Sequence, residues 1–243
     1  MQQGTPAIGA SLAYGSPLCA GEVAQAGYDW VKLDLQHGAW GPDAFRSAVV
    51  SITQAGSIPM TRVLSNSFDQ INRVLDDGVL GVVVPMVDTR QDAELAARAT
   101  RYPPLGGRSN ASPYLTRIHG DNYFKESNDQ IFLAVQIESA EAVENAESIL
   151  SVEGVDGCWI GPSDLALSMG LNISDMGNHP RHDEAVDHVL QMCKKLGKVP
   201  GYACGTEEMG RRRISEGFTF VNIGSDSSFV TSGAEKVISE FKE

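Results

Sequence analysis

The sequence is poor in paired cysteine, in positive charge and in long apolar runs. Its four cysteines, Cys19, Cys158, Cys193 and Cys204, form no C-x-x-C pair and no zinc spacing. That argues against a disulfide-framed scaffold and a structural zinc site, and leaves free thiols of a reducing compartment as the expectation. Lys and Arg number 19 against 31 Asp and Glu, a formal net charge of −12. Nucleic acid and anionic membranes need a basic patch that this balance does not supply, so neither is expected as a partner. No apolar run reaches the ~18 residues that span a bilayer, and no basic-apolar leader pattern opens the chain; a cytoplasmic protein is expected. Repeats, low-complexity tracts and domain linkers are absent. No Gly-x-Gly-x-x-Gly follows the first strand-like run, so no nucleotide cofactor is expected. No lysine ends a strand-like run, where a Schiff-base barrel enzyme would present one.

What is present is a regular alternation. Hydrophobic residues make up 42% of 243 residues, enough for a full core. Strand-like runs fall at 6–12, 29–34, 57–63, 79–86, 131–137, 156–161, 198–203 and 218–223. Most are continuous rather than alternating, as parallel strands buried on both faces require. Helical patterns lie between them, near 17–26, 42–54, 67–76, 89–100, 140–150, 164–169, 181–196 and 206–216. Pro42-Asp43, Thr89 and Ser139 mark helix starts. Eight βα units in this length predict an α/β protein with a (β/α)8 TIM barrel spanning 1–243 and a C-terminal helix at 231–241. An open doubly wound sheet is the structural alternative. One connection, 101–130, is too long for an ordinary turn; it is expected to hold some helix around 114–127 and to serve as a lid or an oligomer contact.

Barrel active sites form at the C-terminal ends of the strands. There the sequence places Asp34-Leu-Gln-His37, Thr61-Arg62, Gln136-Ile-Glu138, Gly161-Pro-Ser-Asp164 and Gly224-Ser-Asp226. Glu138 and Asp164, 26 residues apart, could hold one divalent cation, with Mg²⁺, Mn²⁺ or Co²⁺ suited to hard oxygen donors; both could instead be helix N-caps. His37 is a candidate general base oriented by Asp34, or a polar loop residue. Arg62 is a fork for a carboxylate or carbonyl, or half of an ion pair with Asp34 or Asp76. Backbone N–H groups around Ser163 would favour a substrate carboxylate. Lys32, between Val31 and Leu33, is expected to point outward or to sit in a structural ion pair. His119, His179, His182 and His188 are expected to face solvent.

Tyr28-Asp-Trp-Val-Lys-Leu-Asp34-Leu-Gln-His37, Val74-Leu-Asp76-Asp-Gly78, Val84-Pro-Met-Val-Asp-Thr89, Arg101-Tyr-Pro-Pro-x-Gly-x-Arg108, Val135-Gln-Ile-Glu138 and Ile160-Gly-Pro-Ser-Asp-Leu165 occur in this order. Together they resemble the 4-hydroxy-2-oxoheptanedioate / 2-dehydro-3-deoxyglucarate aldolase family of class II pyruvate aldolases, with macrophomate synthase as a more distant likeness. The resemblance implies a homo-oligomer, hexamer or trimer, whose C-terminal helix packs on a neighbour. By position it implies Glu138 and Asp164 as metal ligands, and Gln136, Arg62 and the Ser163–Asp164 backbone as the pyruvate site. It further implies His37 as the acid/base group, helped by Asp34 and Asp76. Leu35-Gln36 and Gly38-Ala-Trp40 depart from the family pattern, on the acceptor side.

The expected reaction is reversible cleavage of a 4-hydroxy-2-oxo acid to pyruvate and an aldehyde through a metal-stabilised enolate, with no Schiff-base lysine. A 2-oxo-diacid decarboxylase on the same barrel is the alternative. A barrel that binds an oxo acid without turnover is a third reading.

Overall fold

The computed structural model describes residues 5–110 and 114–242. Strands β1 (Ala7–Leu12), β2 (Trp30–Asp34), β3 (Ile58–Arg62), β4 (Gly81–Val84), β5 (Phe132–Ile137), β6 (Gly157–Ile160), β7 (Gly201–Ala203) and β8 (Phe220–Ser225) are all parallel and close in sequence order. The pairing of β8 with β1 completes the barrel. Each strand lies within or beside the run expected for it. The closed order excludes the open doubly wound sheet.

Around the strands pack α1 (Pro17–Gln25), α2 (Pro42–Gln54), α3 (Phe68–Asp76), α4 (Arg90–Thr100), α7 (Ala140–Glu144), α8 (Ala146–Leu150), α9 (Pro162–Ser168), α10 (Pro180–Leu196), α11 (Glu207–Glu216) and α12 (Asp226–Ser239). Caps set several starts. Ser16 accepts from the Cys19 N–H, Thr89 and Asp92 form a capping box, and Ser139 accepts from the Ala142 N–H; each satisfies an otherwise orphaned donor. The expected helix 140–150 is two, broken at Asn145, whose amide reaches the Asp88 carbonyl at 2.8 Å. Helix α9 starts two residues before the expected 164 because Pro162 fits its first turn. The C-terminal helix starts at Asp226, not 231, since Ser225 caps it at the end of β8.

Two cores result. The larger lies between strands and helices and holds Val31, Leu33, Val82, Val84, Leu133 and Val135. The smaller fills the barrel: Trp30, Met60, Val83, Ala134, Trp159 and Phe220. The Trp30 ring packs on Phe220 at 4.5 Å and on Trp159 at 5.7 Å between centroids, and Phe132 meets Phe220 at 5.1 Å. Gly9 makes room for this plug, since a Cβ there would lie 2.1 Å from the Trp30 ring. Cys158, Cys193 and Cys204 are buried, Cys19 is partly so, and all four are free.

The 101–130 excursion carries α5 (Tyr114–His119) and α6 (Tyr123–Gln130); its residues 111–113 lie outside the described residues. It joins a helix end to a strand start, so it lies at the N-terminal end of the barrel. The lid reading is corrected on that ground: the excursion is at the opposite end from the strand-end residues. Its anchors are structural. Arg108 is buried against Asp76 at 3.2 Å and the Tyr123 hydroxyl at 3.0 Å, and Asn128 bonds the Tyr102 backbone twice. Among the described residues no helix is long and apolar enough to cross a membrane.

Candidate active site

Strand register gathers the polar groups. Asp34 and Arg62 are Cα partners on β2 and β3. Arg62 donates to Asp34 through Nε at 3.0 Å and also through Nη2, with 12% of each side chain exposed. The same Asp34 carboxylate accepts the backbone N–H groups of Gln36 at 3.1 Å and His37 at 3.3 Å. Burial works to raise its pKa, but the Arg62 hydrogen bonds, the Lys32 and Arg62 charges and the His37 N–H outweigh it and hold the carboxyl below its ordinary value. Asp34 thus orients the arginine and shapes the loop. The expected bond from Asp34 to the imidazole is not made: His37 is exposed, and only its backbone reaches Asp34.

Across the rim, Gln136 and Glu138 point the same way from the end of β5, as period-two alternation requires. Both are buried, and the Gln136 amide donates to Glu138 Oε2. Glu138 Oε1 accepts the Met86 N–H at 2.8 Å. Met86 has φ 55, a left-handed backbone that a non-glycine residue holds only at a cost; here it aims an N–H at the carboxylate. Burial raises the Glu138 pKa, the Met86 bond opposes this, and the nearby negative charge of Asp164 raises it further. Asp164 lies in the first turn of α9 and is exposed. Gly161 completes the cradle, because a Cβ there would stand 2.8 Å from both Gln136 Nε2 and Glu138 Oε2. Gln136 Oε1 is buried without a partner among the described residues.

The remaining residues differ from expectation in instructive ways. Asp76 ends α3, which runs antiparallel to the strands. It therefore lies at the opposite end of the barrel from His37, paired with Arg108, and its expected support of His37 is not formed within this chain. Ser163 bonds Met176 Sδ at 3.6 Å through its hydroxyl, leaving its backbone as the part available to a ligand. His182, expected in solvent, is fully buried. Its Nδ1 accepts the Gly177 N–H and its Nε2 donates to the Pro162 carbonyl at 3.0 Å, bracing the turn that carries Asp164. His119 is likewise engaged, bonding the Gly78 carbonyl at 2.7 Å. Asp226 is buried and binds the Ala13 and Tyr14 N–H groups, a structural clasp. Lys32 does not point outward. It is 3% exposed inside the barrel, with Nζ 4.7 Å from the Trp159 ring centroid.

The sequence profile of the HpcH/HpaI aldolase/citrate lyase family matches residues 10–232. The chain belongs to that family. As a member of the HpcH/HpaI family it is a lyase of aldolase type. The 5-keto-4-deoxy-D-glucarate aldolase of Escherichia coli (strain K12) is 35% identical over 240 residues, covering 97% of this chain and 92% of that protein. An HpcH/HpaI aldolase/citrate lyase family protein from Burkholderia cenocepacia J2315 superposes with a TM-score of 0.91 at 30% identity, covering 99% and 96% of the two chains. Macrophomate synthase shares the fold, with a TM-score of 0.86 at 21% identity over 98% of this chain and 85% of that one.

Within this HpcH/HpaI barrel, Lys32 and Met86 are the site neighbours that sequence reasoning missed. Trp30, Lys32 and Asp34 share one face by strand period, a signal that was available for Lys32. Nothing local foretold the backbone of Met86.

Proposed function

We propose that this chain is a divalent-metal-dependent pyruvate aldolase, cleaving a 4-hydroxy-2-oxo acid to pyruvate and an aldehyde. The observation that carries the reading is the Glu138–Asp164 pair. The buried Glu138 carboxylate, close enough to Asp164 to feel its charge, lies beside a Gln136 amide oxygen that has no partner among the described residues, in a cradle that only glycine at 161 leaves open. Such a hard-oxygen donor set fits Mg²⁺, Mn²⁺ or Co²⁺, held by Glu138 and Asp164. A bound cation supplies Lewis acidity to the carboxylate and keto oxygen of the 2-oxo acid.

The chain's own groups do the rest. Backbone N–H groups at Ser163–Asp164 and the Gln136 amide orient the acid. Arg62, gripped by Asp34 through Nε and Nη2, keeps Nη1 for the oxyanion that develops on the keto oxygen. His37 takes the C4-hydroxyl proton, the C3–C4 electron pair passes into the enolate, and the aldehyde departs. Protonation at C3 then yields pyruvate. The E. coli relative's name supports this class of reaction. Exposed apolar residues on and after α12, Val230, Val237, Ile238 and Phe241 among them, support a homo-oligomer, hexamer or trimer.

The test is exchange of pyruvate methyl protons with D₂O, followed by NMR. Exchange is expected with Mg²⁺ and not with EDTA; exchange of equal rate in EDTA sinks the metal reading. His37→Ala separates the roles. Aldol cleavage should fall by roughly 10²–10⁴-fold while exchange persists, since exchange involves no C4 hydroxyl. A second reading, decarboxylation of a 2-oxo diacid, is favoured by one observation: among the described residues no carboxylate bonds the His37 ring, and only the His37 backbone reaches Asp34. That reaction needs no base, so it should survive His37→Ala unchanged.

A further inference from the structure

Lys32 is the buried cation that the mechanism above does not use. Arg101, Arg108 and Arg213 are also buried, but each is ion-paired, to Asp156, Asp76, and Asp183 with Glu216. Lys32 makes no hydrogen bond or ion pair among the described residues; its contact is the face of Trp159. A buried ammonium without an anion is costly, and usually either loses its proton or awaits a charged partner.

Its position says which partner. Lys32 leaves β2 one step below Asp34 on the inward face and reaches Trp159 on β6, four strands around an eight-stranded barrel. The side chain therefore crosses the barrel beneath the rim. Trp159 is the Cα partner of Gln136, so the ammonium lies under the wall that carries Gln136 and Glu138. The charged groups bearing on it are Asp34 from β2, Arg62 from β3 and Glu138 from β5. Strands β4, β6 and β8 present Val83, Trp159 and Phe220, which carry no charge, and its β1 neighbour is Ser11, whose Oγ is buried and unpartnered. Burial first, then the Arg62 charge, lower the Lys32 pKa to about 7 against the pull of Asp34 and Glu138. Near neutrality the amine is thus poised between its two charge states.

We propose that Lys32 is a positioning residue carrying the counter-charge of the site: its ammonium opposes the divalent cation and favours the anionic 2-oxo acid, coupling the two ligands. The coupling is Coulombic. A positive charge on Lys32, within electrostatic reach of Glu138, disfavours a cation there and attracts an anion, and a low-dielectric interior transmits both effects. Cation loading drives the Lys32 proton to solvent. Arrival of the anion draws it back.

The inference rests on the metal–oxo-acid reading of the site, and the test separates the two. Mn²⁺ binding to metal-free protein and oxalate binding to Mn²⁺-loaded protein are measured by calorimetry for wild type, Lys32→Met and Lys32→Arg, at about pH 6 and about pH 8.5. At the lower pH, Lys32→Met should bind Mn²⁺ about tenfold tighter and oxalate about tenfold more weakly. A merely structural lesion would weaken both. At the higher pH wild type should approach Lys32→Met, because its amine is then neutral. Lys32→Arg should keep low-pH behaviour throughout, and it serves if Lys32→Met misfolds. Effects of one sign on both ligands, or no effect, overturn the proposal alone. Wild type that binds no Mn²⁺ overturns it together with the metal reading.

Discussion

Glu138→Gln should abolish divalent-metal binding and, with it, both pyruvate proton exchange and aldol cleavage, a loss of roughly 10³-fold or more. The amide keeps the shape and can still accept from Met86, so the fold has no reason to fail. Stability should move the other way. Burial raises the Glu138 pKa in the folded protein. For an acid, a raised folded value means that stability falls as pH rises from the unfolded pKa through the folded one, and the deficit persists above it. Metal-free Glu138→Gln should therefore melt above metal-free wild type at neutral pH, and added Mg²⁺ should stabilise wild type alone. Calorimetric melting with and without Mg²⁺ reads both effects. A variant that keeps Mg²⁺-dependent exchange would show that Glu138 is not a ligand.

Arg62→Ala should lower activity and stability together. It removes the guanidinium from the oxyanion, a loss of roughly 10²–10³-fold in turnover. It also leaves Asp34 buried without its partner, which costs about 3–5 kcal/mol where a buried pair is broken. The sign with pH is definite. The folded Asp34 pKa is depressed, so its stabilisation is present above the unfolded carboxyl value and is lost as pH falls through the lower folded value. Arg62→Ala should lack this acid-side loss. Arg62→Lys should recover part of the stability but little turnover, since a point charge does not reproduce the fork on Asp34. Urea unfolding at several pH values and kcat for the three proteins check this; equal turnover in Arg62→Lys and wild type would remove Arg62 from the chemistry.

The barrel was legible because its signal is repeated: eight apolar runs, each followed by a helical pattern and many by a cap. The rim was legible because strand ends are short, and Asp34, Arg62, Gln136 and Glu138 each close an apolar run. The rest has separate physical reasons. Lys32 looked outward because its neighbours Val31 and Leu33 are core residues, but a barrel strand is buried on both faces and alternation does not expel a lysine. Asp76, which only the resemblance set beside His37, ends a helix and so lies at the far end of its own barrel, paired with Arg108. His182 sits in a polar stretch whose burial depends on the turn at Pro162, 20 residues away. For His182 the deciding contact is one that local sequence does not carry.

The aromatic plug has a kinetic meaning. With Trp30, Trp159, Phe132 and Phe220 packed together inside the barrel, the proposed site is reached from the rim. In the proposed reaction the acid held at Glu138 lies deeper than an aldehyde beside the exposed His37. The aldehyde then exits first and pyruvate last, so in the synthetic direction pyruvate must enter first. Order of release is thus set by depth alone, an order that product-inhibition patterns read directly.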